Sequence, residues 1–248
     1  MALTAVGLIC WSSSPVAVAG GKGDPLRICT TGDYKPLTYR DPETGLYSGV
    51  DIDMATDLAA FLGRGPVFVP TTWPTLSQDV STPGECDIAV GGITDTPARR
   101  EIAEFTQSYL PSGKIPLVAV ANADRFESID QINQPGVRVI ENPGGTNEKF
   151  ARQHLPNAQI AIWPDNTTIF DQLAAGNADV MITDAIEAVY QSARNPNLVA
   201  VNPDRPFTSE FKAYMLPKGS PIRGDVDRWL SQALQDGTFS RVYQKWVR

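Results

Sequence analysis

Histidine is almost missing from this chain: His154 is the single one in 248 residues. It ends a polar helical stretch, with no metal-ligand cluster and no nucleophile triad around it. Metal-assisted and triad chemistry are therefore not expected, and His154 reads as an exposed residue. Basic residues are outnumbered, 21 Lys and Arg against 28 Asp and Glu, for a formal charge of -7. That balance excludes the clustered positive surface a nucleic-acid partner requires, and any anionic ligand must be held by a local cation. No Gly-Lys-Ser follows Gly144 and Gly145, so a nucleotide phosphate loop is excluded and no cofactor is expected. Beyond the N-terminal segment no run approaches the roughly 18 apolar residues of a membrane span, which predicts a soluble body. Internal repeats and low-complexity tracts are lacking too.

What is present is a chain with 42% hydrophobic residues, long enough to bury a core in each of two lobes. Ala5 to Trp11 is apolar, Ala17, Val18 and Ala19 form a small-x-small cleavage pattern, and Gly20 to Asp24 is a loose linker. Residues 1–22 thus read as a signal-like leader and predict export to the periplasm, although the usual basic start is missing. Ile9 before Cys10 is too large for a typical lipoprotein site, so no lipid anchor is expected. Cys29 and Cys86 each open an apolar, strand-like run. Export would permit a disulfide between them, and two buried thiols is the reading left open, because spacing does not fix a Cα separation.

Short apolar strands alternate with amphipathic helices, the pattern of an α/β fold with parallel sheets. Strands are expected at Leu26 to Thr30, Val67 to Pro70, Ile88 to Val90, Ile115 to Val120, Val137 to Ile140, Ile160 to Trp163, Val180 to Thr183 and Tyr214 to Pro217. Helices fit Asp51 to Leu62, Thr146 to His154, Thr167 to Ala175, Asp184 to Ala193 and Asp225 to Trp246. Segments rich in Pro, Ser, Gly or Asp at Tyr109 to Pro116 and Asn202 to Phe207 bracket a block the size of a small domain. The expected division is one lobe from 25–114 and 207–248, with a second lobe, 115–206, inserted. Two crossings make a hinge and put the ligand in the cleft.

Three segments carry the candidate chemistry: GGITDTPARR from Gly91, ENPGGTNEKF from Glu141 and ITDAIEAVYQ from Ile182. With CTTGDYKPLTYRDPETGLYSGVDIDMATDLAAFLG, TTWPTL, CDIAVGG, the Tyr109 hinge, PGVRVIENPGGTNE, AGNADVMITDA and DGTFSRVYQKW, the chain resembles the polar-amino-acid class of periplasmic solute-binding proteins. The resemblance covers essentially all of the chain after its leader. It implies a periplasmic-binding-protein-like α/β fold, two lobes each with a mainly parallel sheet and two hinge crossings. Within that class, ENPGGTNEKFA, PDNTTIFD, ITDAIE and the two cysteines look more like the cyclohexadienyl dehydratases, exported enzymes that convert prephenate to phenylpyruvate and arogenate to phenylalanine.

The residues allow a physical reading beside the resemblance. A guanidinium fork can give two parallel hydrogen bonds to a carboxylate, and Arg99 matches the family's carboxylate anchor, with Thr94 and the backbone near Gly92 completing the shell. The alternative for Arg99 is a surface helix residue; Arg100 beside it is expected to face solvent. Tyr34 and Trp73 match positions where the family stacks rings over the ligand, against the alternative of core aromatics. Asn142, Gly145 and Thr146 belong to a glycine-led helix start whose N–H groups could take a second carboxylate, or form an ordinary tight turn. Lys114 is a further candidate or a solvated hinge lysine. Asp184 and Glu187 have the spacing of a capping box, in which Glu187 would bond back to the backbone. The resemblance instead implies that Glu187 is the general acid, and that Asp184 pairs with a ligand's amino group, which favours arogenate or an amino-acid ancestry. The expected partner is a small anionic substrate, prephenate or arogenate; a homo-oligomer is left open.

Overall fold

The computed structural model describes residues 23–247; the leader expected at 1–22, Cys10 included, lies outside them. Two five-stranded sheets organise the chain. The first runs in the order Pro66–Pro70, Leu26–Thr30, Ile88–Ala89, Met215–Pro217, Ala103–Phe105, and the second Gln159–Ile162, Arg138–Glu141, Val180–Asp184, Lys114–Ala119, Leu198–Ala200. In each sheet the pairings leave four strands running one way and the fourth in spatial order reversed. The reversed strands, Met215–Pro217 and Lys114–Ala119, are the first the chain forms after passing from one sheet to the other. The two passages lie side by side: Leu110–Ser112 and Glu210–Lys212 pair antiparallel, Lys212 opposite Leu110.

Alternation along the strands explains why each sheet has helices on both faces. Leu26 and Ile28 turn to one core with Met54 and Leu58 of the Val50–Phe61 helix and Val226, Trp229 and Leu230 of the Arg223–Gln235 helix. Cys29, one residue past Ile28 and so out of phase with both, turns to the opposite core with Leu76 and Val80. The second sheet repeats the arrangement, Val139 and Val180 meeting Phe150, and Ile140 and Met181 meeting Ile169, Leu173 and Ala188. Each such side chain taken wholly from water stabilises its lobe by about 1.5–3 kcal/mol. Cys29 and Cys86 are joined by a disulfide with a Cα separation of 5.7 Å, because the strand that follows Cys86 lies beside the one that carries Cys29.

Three expectations change. The single helix from Asp225 to Trp246 is two, Arg223–Gln235 and Thr238–Val247, broken where Gly237 takes φ 80° and Asp236 accepts the Thr238 N–H at 2.8 Å. The break lets Phe239, Val242 and Trp246 turn onto the first core. Tyr34, outside every expected strand, belongs to a small sheet of Asp33–Tyr34, Thr38–Arg40 and Tyr47–Ser48. The paired second passage lies after the expected Asn202 to Phe207: Phe207 packs on the second core, and its N–H bonds to the Lys114 carbonyl at 2.8 Å. No helix among the described residues is long and apolar enough to cross a membrane.

Candidate active site

One wall of the cleft is built on a buried carboxylate. Asp51, in the first turn of the Val50–Phe61 helix, accepts hydrogen bonds from Gly92 N–H (2.7 Å), Gly91 N–H (3.1 Å), Tyr109 O–H (2.6 Å) and Tyr214 O–H (3.1 Å). Burial raises its pKa to about 6 against these four donors, so at neutral pH it is an anion that pins the glycine loop. Gly92 has φ 73°, and a Cβ there would lie 2.5 Å from the Tyr34 ring, so glycine is what lets the backbone close on that ring.

The loop faces a small cavity between the lobes. Tyr34, Trp73, Gly92, Thr94 and Lys212 come from the side of the first sheet, and Asn142, Gly145, Thr146, Asn147 and Asp184 from the side of the second. Tyr34 meets Trp73 edge-on with ring centroids 5.7 Å apart, and the indole N–H donates to Asp33 at 3.1 Å. The lobes touch across the cleft. Tyr34 O–H donates to Asp184 Oδ2 at 2.6 Å, and Asn166 Nδ2 donates to the Asp33 carbonyl at 2.9 Å.

Asp184 is the centre of a buried ionic cluster. Lys114 Nζ donates to its Oδ1 at 2.8 Å and Lys212 Nζ to its Oδ2 at 2.5 Å. Burial would raise the Asp184 pKa, but the two ammonium groups prevail and hold it well below the usual carboxylate range. Lys114 also donates to Thr146 Oγ1 (2.8 Å) and Asn147 Oδ1 (2.6 Å), and Lys212 to Thr94 Oγ1 (2.8 Å). Burial pulls the Lys212 pKa down, opposed by Asp184. Arg99, 8% exposed, donates to the Thr94 carbonyl at 2.8 Å; burial lowers its pKa to about 10, which leaves it a cation at neutral pH.

Glu187 lies on the first turn of the Ala185–Arg194 helix and is fully buried. Its Oε2 accepts from Thr183 Oγ1 at 2.5 Å, and Thr183 in turn accepts from Asn147 Nδ2 at 3.2 Å. Its Oε1 has no hydrogen-bond partner among the described residues. Burial first, then the charges of Asp184 and Asp33, push its pKa up to about 8 against the Thr183 bond. At neutral pH this carboxyl is protonated. Glu141 is a second buried acid of the same kind, its Oε1 taken by the Ile182 N–H at 2.8 Å and burial pushing its pKa well up.

Eight of the sequence-derived binding candidates therefore share one cavity wall: Tyr34, Trp73, Gly92, Thr94, Asn142, Gly145, Thr146 and Asp184. Arg99 and Lys114 stand one contact behind it, through Thr94 and Thr146, and Glu187 stands two behind it, through Thr183 and Asn147. Several alternatives fall away. Lys114 is fully buried and not a solvated hinge lysine, because its ammonium has polar partners on all sides. The capping box is not formed, since Asp184 makes no side-chain cap and Glu187 turns to Thr183. The glycine-led helix start is less open to an anion than its sequence promises: Glu148 already accepts the Gly144 N–H at 2.6 Å and brings a negative charge there. Asp184 already takes three donors, one on Oδ1 and two on Oδ2, before any ligand's amino group reaches it. Arg100 is exposed and paired with Asp95, and His154 is half-buried against Phe150, ring centroids 4.4 Å apart. Lys212 and Asn147 are the wall residues that sequence reasoning missed. The signal for Lys212 was a lysine abutting the apolar run Ala213 to Leu216, a place where a solvated lysine has little room.

The model of the bacterial extracellular solute-binding proteins, family 3, matches residues 26–248. The cyclohexadienyl dehydratase of Pseudomonas aeruginosa is 48% identical over 222 residues, 90% of this chain and 82% of that protein. An ABC transporter glutamine-binding protein of Bacillus subtilis is 25% identical over 87% of this chain and 78% of its own length. Among solved structures, an ancestral amino acid-binding protein described as a precursor of cyclohexadienyl dehydratase superposes with a TM-score of 0.83 at 36% identity, covering 92% of this chain and 96% of that one. An ancestral cyclohexadienyl dehydratase is 49% identical over 93% of this chain and 98% of that one, with a TM-score of 0.55. A family match over residues 26–248, two lobes joined by a paired ribbon and a polar cavity between them agree on one conclusion: this chain belongs to family 3 of the bacterial extracellular solute-binding proteins.

Proposed function

We propose that this protein is an exported, periplasmic cyclohexadienyl dehydratase, a carbon–oxygen lyase acting on prephenate, arogenate or both. The observation that carries the reading is Glu187, a buried carboxyl that holds its proton at neutral pH and has one oxygen without a protein partner. A protonated acid close behind the cavity wall, brought to the substrate as the lobes rearrange, is what the reaction needs. Glu187 gives its proton to the ring hydroxyl, which leaves as water. The ring carboxylate departs as carbon dioxide, and the electron pair of its C–C bond becomes the double bond that completes the aromatic ring. General acid catalysis of this kind contributes about 10²–10⁴-fold.

Arg99 anchors the side-chain carboxylate with its free N–H groups, oriented by the Thr94 carbonyl. Lys114 and Lys212 supply the positive field for the second carboxylate, and Tyr34 with Trp73 exclude water from the ring. Closure about the Leu110–Ser112 and Glu210–Lys212 ribbon traps the substrate between the two lobes. The two ancestral structures support a pivot: the one more similar in sequence superposes less well as a whole, as a change of lobe arrangement would produce.

A transport-linked amino-acid receptor is the second reading, favoured by the superposition on an amino acid-binding protein. It leaves the protonated Glu187 without a role. Incubating the purified protein with prephenate at neutral pH separates the two. Phenylpyruvate forming far faster than in buffer supports the enzyme; binding of an unmodified amino acid with no product supports the receptor.

A further inference from the structure

Asp51 holds more than the glycine loop. It is fully buried beneath the place where both passages between the lobes leave the first sheet. Tyr109 directly precedes the ribbon strand Leu110–Ser112, and Tyr214 lies two residues past its partner, Glu210–Lys212. The two rings stack with centroids 4.7 Å apart, and both hydroxyls end on Asp51, Tyr109 on Oδ2 and Tyr214 on Oδ1. Oδ2 also takes the Gly91 and Gly92 N–H groups, and Gly92 lines the cavity. Just beyond that loop the Ile93 carbonyl accepts the Ala213 N–H at 3.1 Å, and Thr94 bridges to Lys212. One carboxylate thus joins both strands of the ribbon to the backbone that faces the ligand.

We propose that Asp51 is a positioning residue: as an anion it fixes the ribbon and the cavity loop to each other, and when it takes up a proton that hold slackens and turnover falls. The inference deepens the dehydratase reading and rests on it for the turnover it affects. Three donors crowd one oxygen of Asp51, and a charged acceptor bonds each of them about twice as strongly as a neutral one. A proton on either oxygen also turns an acceptor into a donor among groups that themselves donate. The titratable groups facing Asp51 are Tyr109 and Tyr214, whose pKa values burial pushes well above the ordinary phenol range; its other side-chain partners are the two glycine N–H groups. Burial lifts Asp51 itself to about 6, so the change comes on the acid side of neutrality, apart from the loss of the Glu187 proton at about 8. The folded pKa is raised above the unfolded 3.8, so this group's contribution to stability grows as the pH falls through 6. Activity lost there through Asp51 is therefore not unfolding.

The test measures kcat/KM for prephenate from about pH 5 to pH 8 in the wild type, Tyr109→Phe and Asp51→Asn, with the rate in buffer subtracted at each pH. The wild type is expected to lose about tenfold between pH 7 and pH 5. Tyr109→Phe deletes a hydrogen bond that lowers the Asp51 pKa, so its acid limb should lie at higher pH than that of the wild type. Asp51→Asn, which like the protonated acid is uncharged and offers both an acceptor and a donor, should show at pH 7 the low activity of the wild type at pH 5, with no acid limb. A residue that only braced the fold would lower activity alike at every pH and leave the limb in place, which overturns the proposal, as does a wild type with no acid limb. Should Asp51→Asn fail to fold, Tyr109→Phe decides. Amide exchange of Gly91 and Gly92 in the wild type, corrected for the intrinsic effect of pH, keeps the question decidable without turnover: it should be about tenfold faster at pH 5 than at pH 7. Faster exchange in a protein that leaves prephenate unchanged supports the proposed hold while the dehydratase reading fails. Unchanged exchange overturns the proposal even where prephenate is turned over.

Discussion

Replacing Glu187 by Gln should damage catalysis and, above neutral pH, strengthen the fold. The unfolded chain carries an ordinary glutamate with a pKa of 4.5, while burial lifts the folded value to about 8. The folded state therefore binds the extra proton, and the stability this represents is complete below pH 4.5 and is lost as the pH rises through about 8. At about 1.36 kcal/mol per unit, the wild type gives up about 1 kcal/mol by pH 5 and about 4 kcal/mol by pH 8. The amide does not titrate and escapes this loss, though burying it beside Thr183 without a full set of partners costs about 1–3 kcal/mol at every pH. The stability of Glu187→Gln relative to wild type should thus grow by about 3 kcal/mol between pH 5 and pH 8, a relative rise in Tm of roughly 10 °C for a chain of this size. Denaturant melts at the two pH values read it directly. Turnover should fall by about a hundredfold or more, with substrate binding largely kept. A pH-independent stability difference would refute the protonated buried acid, and wild-type turnover in the folded variant would refute its catalytic role.

Other residues give sharper or coarser tests. Arg99→Lys keeps a positive charge but loses the planar fork, and kcat/KM should fall well over tenfold while the melting curve stays close to wild type. Thr183→Val removes the bond to Glu187 Oε2 that lowers its pKa, so the pH at which activity is lost should move upward from about 8. Gly92→Ala puts a methyl 2.5 Å from the Tyr34 ring at φ 73° and should destabilise by about 1–3 kcal/mol, as overpacking does, with activity falling further than stability.

Much of this molecule was legible because its signals are local. The Thr146–His154 helix and the Leu26–Thr30 strand fall where periodicity and turn residues place them, since periods of about 3.6 and 2 residues leave different apolar patterns. The break at Gly237 was missed because the apolar residues on either side keep a helical spacing, and only the φ of one glycine separates the two helices. At the site, glycines, an arginine and paired acids were visible as patterns. Lys212, Asn147 and Asp51 were not: each acts through partners far away in the chain, Lys212 on Asp184 and Asp51 on Tyr109 and Tyr214, and sequence spacing carries no trace of such contacts. The charge of Asp33, which adds to burial and to Asp184 in raising the Glu187 pKa, needed the fold.

The central claim is that a single protonated carboxyl, Glu187, releases the leaving hydroxyl, and the pH dependence of kcat/KM for prephenate tests it most directly. That quantity reports the ionisation of the free enzyme. The account predicts a profile sustained through neutral pH that falls about tenfold per unit above a pKa near 8, as Glu187 loses its proton. A rate that stays level from pH 7 to well above pH 9, or one that rises across that range, would contradict it.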